Sequence, residues 1–114
     1  KTLLTQGICQ IRAGQTAEAE VTLGRAYALD PGNPVTGYNL AQLLLTRGDL
    51  NRAQFYIRRV NNSDFANAET LWLGIKVERR LGNQDAMRQL ADTLNRRFAS
   101  SREIQLYEKG AFNE

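Results

Sequence analysis

The chain has 114 residues, a size for one domain. It is 42% hydrophobic and 24% charged, a balance that favours a folded core over disorder, and no apolar run approaches the roughly 20 residues of a membrane-spanning helix. Its net charge is only +3, histidine is absent and Cys9 is the sole cysteine, so Ser-His-Asp chemistry, histidine metal sites, cysteine-rich zinc sites and disulfides within this chain are excluded.

The first predicted helix spans residues 1–13 and carries two apolar lines. Leu3 and Gly7 lie on one, and Leu4, Ile8 and Ile11 on the other. Gly7 inside a helix costs about 1 kcal/mol relative to alanine, which points to close approach of the next helix at Ala19. Cys9 falls mid-helix and is expected as a small buried residue, or as half of a disulfide to an upstream partner. Ile8 just before it argues against lipid attachment, which favours a small residue there. Gly14 is expected as a left-handed helix stop. A second helix, 16–29, turns Ala19, Leu23 and Ala26 inward, with Tyr27 and Leu29 expected to pack toward the following unit.

Asp30-Pro31-Gly32-Asn33-Pro34 is a strong turn signal, with Asn33 capping a third helix and Pro34 at its first position. Leu40, Ala41, Leu44 and Leu45 recur at helical spacing until Arg47-Gly48-Asp49 breaks the pattern. A fourth helix, 51–60, carries Ala53, Ile57 and Val60 on one face, and Asn61-Asn62-Ser63-Asp64 ends it. The fifth helix, 66–81, has Leu73, Val77 and Leu81 as its core line, with a second apolar line at Leu71 and Ile75. Trp72, Lys76 and Arg79 form a mixed line beside these. Asn83-Gln84-Asp85 opens a sixth helix with Leu90, Leu94 and Phe98 four apart. Ser100 with Glu103 reads as a capping box for a short last helix containing Ile104 and Tyr107.

Gly14, Gly48 and Gly82 stand 34 residues apart, and the pairs Ala19/Ala53, Leu23/Ile57 and Ala26/Val60 keep the same spacing. A fixed period of this size marks stacked helix hairpins, each unable to bury its apolar faces alone. The period and the placement of Gly7, Ala19 and Pro31, then Ala41 and Ala53, resemble the tetratricopeptide repeat. The third unit is looser: Met87 replaces the alanine, and Gly74 comes one residue early. The expectation is an all-α tetratricopeptide-repeat superhelix, with repeats at about 1–33, 34–66 and 67–99 and a capping helix at about 100–110. The chain begins at Lys1 inside a helical pattern, so a piece of a longer protein is expected, with an open apolar face at Leu3, Leu4, Ile8 and Ile11. That face would pack on an upstream repeat or on a second copy.

No catalytic constellation emerges, and the reading is not an enzyme, without cofactor or metal. Asp30, Asp49, Asp64 and Asp85 all sit at turns or helix starts, where capping accounts for them. The pairs Arg58-Arg59, Arg79-Arg80 and Arg96-Arg97 fall on predicted helices and read as solvated faces, so nucleic acid is not an expected partner. Such hairpins present their first helices on a concave side, which places a protein-binding groove at Leu4, Ile8, Ile11, Tyr38, Gln42, Leu45, Leu71, Trp72, Ile75, Lys76 and Arg79. Repeat domains that clamp a C-terminal carboxylate carry Lys and Asn on the first of these helices, Asn on the second and Lys and Arg on the third. Leu4, Ile8, Asn39, Glu69 and Leu73 stand there, a single match, so such a clamp is not expected.

Three stretches carry a closer likeness: Gly7-Ile8-Cys9 leading to Ala13-Gly14-Gln15, then Leu71-Trp72-Leu73-Gly74-Ile75-Lys76, then Arg96-Arg97-Phe98 through Ser101-Arg102-Glu103 to Tyr107. Together they resemble the C-terminal repeats of the PilF/PilW family of type IV pilus biogenesis, departing at Ala99, where proline would be expected. The resemblance implies about six repeats, of which this is the last half, in an outer-membrane lipoprotein facing the periplasm. Its lipid anchor would lie in the upstream part. It implies a pilus assembly adaptor, or pilotin, that helps the secretin assemble or steadies the fibre. It also favours the disulfide reading of Cys9, since the periplasm permits disulfides. The alternative is a general repeat scaffold in the cytoplasm with an unrelated protein partner.

Overall fold

The computed structural model describes residues 3–112. Seven α-helices and no strand occur among them: α1 Leu3–Arg12, α2 Thr16–Leu29, α3 Pro34–Arg47, α4 Leu50–Asn61, α5 Ala68–Leu81, α6 Gln84–Arg97 and α7 Arg102–Lys109. The first two positions of the predicted first helix lie outside the described residues. The chain forms two compact units, one up to Tyr56 and one from Ile57 on, with the border inside α4.

The periodic glycines end helices by one mechanism. Gly14, Gly48 and Gly82 have φ of 79°, 84° and 81°, in the left-handed region that side chains with a Cβ resist. At Gly48 the amide donates to Leu45 O at 3.1 Å and the next amide, of Asp49, to Leu44 O at 2.9 Å. The same pair of bonds recurs at Gly14 and Gly82, and at Gly110 after α7. Each pair satisfies carbonyls that a helix end leaves open and turns the chain back sharply.

In the first unit α1 packs on α2, and α2 on α3. Ala19, Leu23, Leu40, Ala41, Leu44 and Ala53 are almost wholly buried, each leucine contributing about 1.5–3 kcal/mol. Gly7 does permit close approach, but of Leu23 rather than Ala19: a Cβ at Gly7 would fall 2.6 Å from the Leu23 side chain. Asn33 caps α3 as expected, its Oδ1 accepting from the Val35 amide at 2.9 Å. Glu20 of α2 accepts from Arg47 at 2.6 Å and from Arg52 at 3.3 Å, on either side of the Gly48 turn. Tyr27 meets the Tyr56 ring edge-on, with centroids 4.8 Å apart. Leu29 corrects its expectation: at the last turn of α2 it is 78% exposed.

In the second unit α5 is the central helix, touching both α6 and α7. Thr70 through Ile75, Val77 and Glu78 are all buried, so two of its faces carry core. Asn67 and Thr70 form a reciprocal capping box, the Thr70 amide donating to Asn67 Oδ1 at 2.9 Å and the Asn67 amide to Thr70 Oγ1 at 2.8 Å. That cap starts α5 at Ala68 instead of 66. A Cβ at Gly74 would lie 2.7 Å from Asn61 Nδ2 and 3.0 Å from Leu90 Cδ1, so the early glycine is the small residue of this repeat. The last helix is capped by Ser101, whose Oγ accepts from the Ile104 amide at 3.2 Å, one residue later than predicted. Ile104 and Leu106 bury themselves with Leu71, Trp72, Ile75, Ala91 and Leu94, so α7 covers the end of the unit.

Candidate functional site

The predicted groove residues divide sharply by burial. On the first unit, Leu4, Ile8, Ile11 and Tyr38 are half-buried and Gln42 is exposed, while Leu45 is buried. On the second unit, Leu71 and Ile75 are core, 1% and 0% exposed, packed with Ala91 and Leu94 of α6 and with Ile104 and Leu106 of α7. The second apolar line of α5 is therefore core; on the mixed line, Trp72, Lys76 and Arg79, one helical turn apart each, Trp72 is buried too, Lys76 is half-buried and Arg79 is exposed.

This line holds an aromatic and cationic cluster. Trp72 is 4% exposed, and Phe112 stacks on it with centroids 5.6 Å apart and planes 17° from parallel. Tyr107 of α7 meets Phe112 edge-on at 6.1 Å. The Arg79 guanidinium lies 4.4 Å from the Phe112 centroid, and Lys76 Nζ lies 5.9 Å from the Trp72 centroid. Such cation–ring contacts are worth about 0.5–2 kcal/mol, most where water is excluded. Burial pushes the Lys76 ammonium below the ordinary lysine range. Among the described residues neither Lys76 nor Arg79 has a carboxylate partner, and the buried Trp72 Nε1–H has no acceptor. Phe112 and Tyr107 were not assigned to a site from the sequence. A lone aromatic two residues past the Gly110 helix stop was the available signal.

A second polar cluster lies between the end of α4, α5 and α6. Glu78 is 1% exposed, yet ionic, its Oε2 accepting from Arg58 Nε at 2.7 Å and its Oε1 from Asn83 Nδ2 at 2.9 Å. The carboxylate holds the Arg58 guanidinium more firmly protonated than usual. Asn61 Nδ2 donates to Thr70 O at 3.1 Å. These groups edge a pocket of about 380 Å³ floored by Leu71 and Gly74 and walled by Leu90 and Thr93. Asn83 spends its side chain on Glu78 and makes no cap to α6. The network ties three helices together.

Cys9 is exposed on α1, which corrects the expectation of a buried residue. Among the described residues no group of acids and cysteine could hold a metal ion.

Helix hairpins, each stopped by a left-handed glycine, define a helical-repeat protein. The sequence profile of the tetratricopeptide repeat matches residues 10–71, more than half of the chain, and the chain belongs to that family. Among solved structures it is similar to PilW, a widely conserved type IV pilus biogenesis factor, at 31% identity and a TM-score of 0.81. That match covers 92% of this chain and 48% of PilW. It is also similar to Pseudomonas aeruginosa PilF, at 20% identity and a TM-score of 0.82, over 95% of this chain and 49% of PilF; this second likeness bears on the fold alone. The chain thus spans about half the length of either. No curated protein matches its sequence.

Proposed function

We propose that this chain is the repeat region of a type IV pilus biogenesis adaptor that holds another pilus component, such as the secretin, at its surface. The observation that carries this is the 31% identity to PilW over 92% of the chain, together with the stretches around Gly7, Trp72 and Tyr107 that carry the likeness in the sequence. The location in this reading is the periplasmic side of the outer membrane, reached by a lipid anchor on an upstream segment. The pilotin role follows in the same reading. Binding uses a face on each unit, the first with Leu4, Ile8, Ile11, Tyr38 and Gln42 and the second with Lys76 and Arg79 beside the buried Trp72. The half-buried α1 residues also offer a face for an upstream repeat or for a second copy.

The test is capture of the secretin by the full-length protein. Tyr38→Ala with Gln42→Ala addresses the first face, and Lys76→Glu with Arg79→Glu the second. Trp72 is unsuited, because truncating a buried tryptophan costs about 3–5 kcal/mol and confounds binding with folding. Loss of capture by either pair, with the helical signal unchanged, supports the reading. Capture unchanged by both pairs removes these faces from it, and no capture by the wild-type protein favours a general scaffold with another partner.

A further inference from the structure

We infer that Trp72, Lys76 and Arg79 form a slot for an aromatic side chain flanked by an acidic one, presented by a partner peptide, and that Phe112 fills this slot as a displaceable stand-in. The inference deepens the binding reading above and rests on it for the biological partner, though not for the chemistry of the slot.

Phe112 makes the contacts that a docked aromatic residue would make. It stacks on Trp72 at 5.6 Å, takes the edge of Tyr107 at 6.1 Å and lies 4.4 Å from the Arg79 guanidinium. Yet it does not satisfy the cluster. A phenyl ring offers no oxygen, so among the described residues the buried Trp72 Nε1–H has no acceptor, and Lys76 and Arg79 meet rings but no carboxylate. Lys76 loses hydration in this position, as its lowered pKa reflects, and among the described residues it gains no anion in return. A carboxylate beside the incoming ring would supply what Phe112 lacks: charge-assisted hydrogen bonds to two cations held on successive turns of α5. Phe112 lies beyond Gly110, a left-handed helix stop at φ 70°, and packs on the outside of the cluster that holds Ile104 and Leu106 without belonging to its buried residues.

Trp72 is the sole tryptophan, so its fluorescence reports on the slot directly. The probe is a short peptide, acetylated and amidated, with phenylalanine followed by aspartate. Control peptides carry leucine for phenylalanine or asparagine for aspartate. The expected result is saturable change in Trp72 emission with the first peptide and roughly tenfold weaker binding of each control. Phe112→Ala should tighten binding about tenfold by removing the competitor, and Arg79→Gln should weaken it by a similar factor. Should Phe112→Ala lower the melting temperature sharply, Phe112→Leu keeps apolar cover without the ring and should still tighten binding. Equal affinity for all three peptides, or affinity unmoved by both Phe112 variants, overturns the inference. Secretin capture by full-length protein with Phe112→Leu separates the two levels. Peptide binding that tightens while capture is unchanged keeps the slot and removes the secretin as its occupant. Peptide binding absent while capture persists removes the slot alone.

Discussion

Two glycines inside helices give a sharp test of how the repeat is packed. Replacing either with alanine improves helix propensity by about 1 kcal/mol. At Gly24, in the middle of α2, a new Cβ meets nothing within 4 Å. Gly24→Ala should therefore stabilise by nearly the full amount. At Gly74 the new Cβ would lie 2.7 Å from Asn61 Nδ2 and 3.0 Å from Leu90 Cδ1. Asn61 can relieve the clash only by giving up its bond to Thr70 O, a loss of about 0.5–1.5 kcal/mol. Pressing on Leu90 adds overpacking of about 1–3 kcal/mol. Against the propensity gain, Gly74→Ala should destabilise by about 0.5–3.5 kcal/mol. Urea unfolding followed by circular dichroism gives both values, and the two substitutions should move the midpoint in opposite directions. A Gly74→Ala protein as stable as Gly24→Ala would mean that α4 and α6 do not close on α5 as described.

Removing Arg58 should be costly despite its being half-exposed, because it leaves the buried Glu78 carboxylate with less compensation. A buried pair broken on one side loses about 3–5 kcal/mol, and solvent access to Arg58 reduces this to about 1–3 kcal/mol. Chemical denaturation of Arg58→Ala measures it, and an unchanged midpoint would refute it. Ser101→Ala should cost about 1 kcal/mol through loss of the α7 cap, read as a lower melting temperature. Lys76 gives a pH signature. Its folded pKa is lowered, so above that value the unfolded chain binds more protons, and stability should rise with pH toward the ordinary value of 10.5. Lys76→Met should abolish that rise in urea midpoints, and an identical slope in both proteins would contradict it. Cys9 should react with a maleimide in the folded protein at the pace of an open thiol, and protection until unfolding would count against its exposed position.

Local chemistry was legible where one residue decides the outcome. The glycine period located three helix stops whose left-handed φ no other residue adopts so readily. Asn33-Pro34 likewise announced its own cap. Long-range packing was less legible. Leu71 and Ile75 were assigned to a groove because the repeat frame places the first helices on the concave side, and the frame does not say which line of α5 another helix will cover. The answer depends on α7 arriving some thirty residues later. Glu78 took no part in the sequence reading, since its partner Arg58 stands on a different helix. Leu29 was expected to pack toward the following unit, yet it falls at the end of α2, past the helix's last buried residue, Ala26. Phe112 belongs to no period at all, so only the fold brings it onto Trp72.

The most direct measurement is the yield of assembled secretin multimers in envelopes of cells that carry, lack, or express variants of the full-length protein. The expected result is loss of multimers without the protein, full recovery with the wild type, and incomplete recovery with Lys76→Glu and Arg79→Glu. Undiminished multimers in cells lacking the protein, with pili still assembled, would contradict a role in pilus assembly.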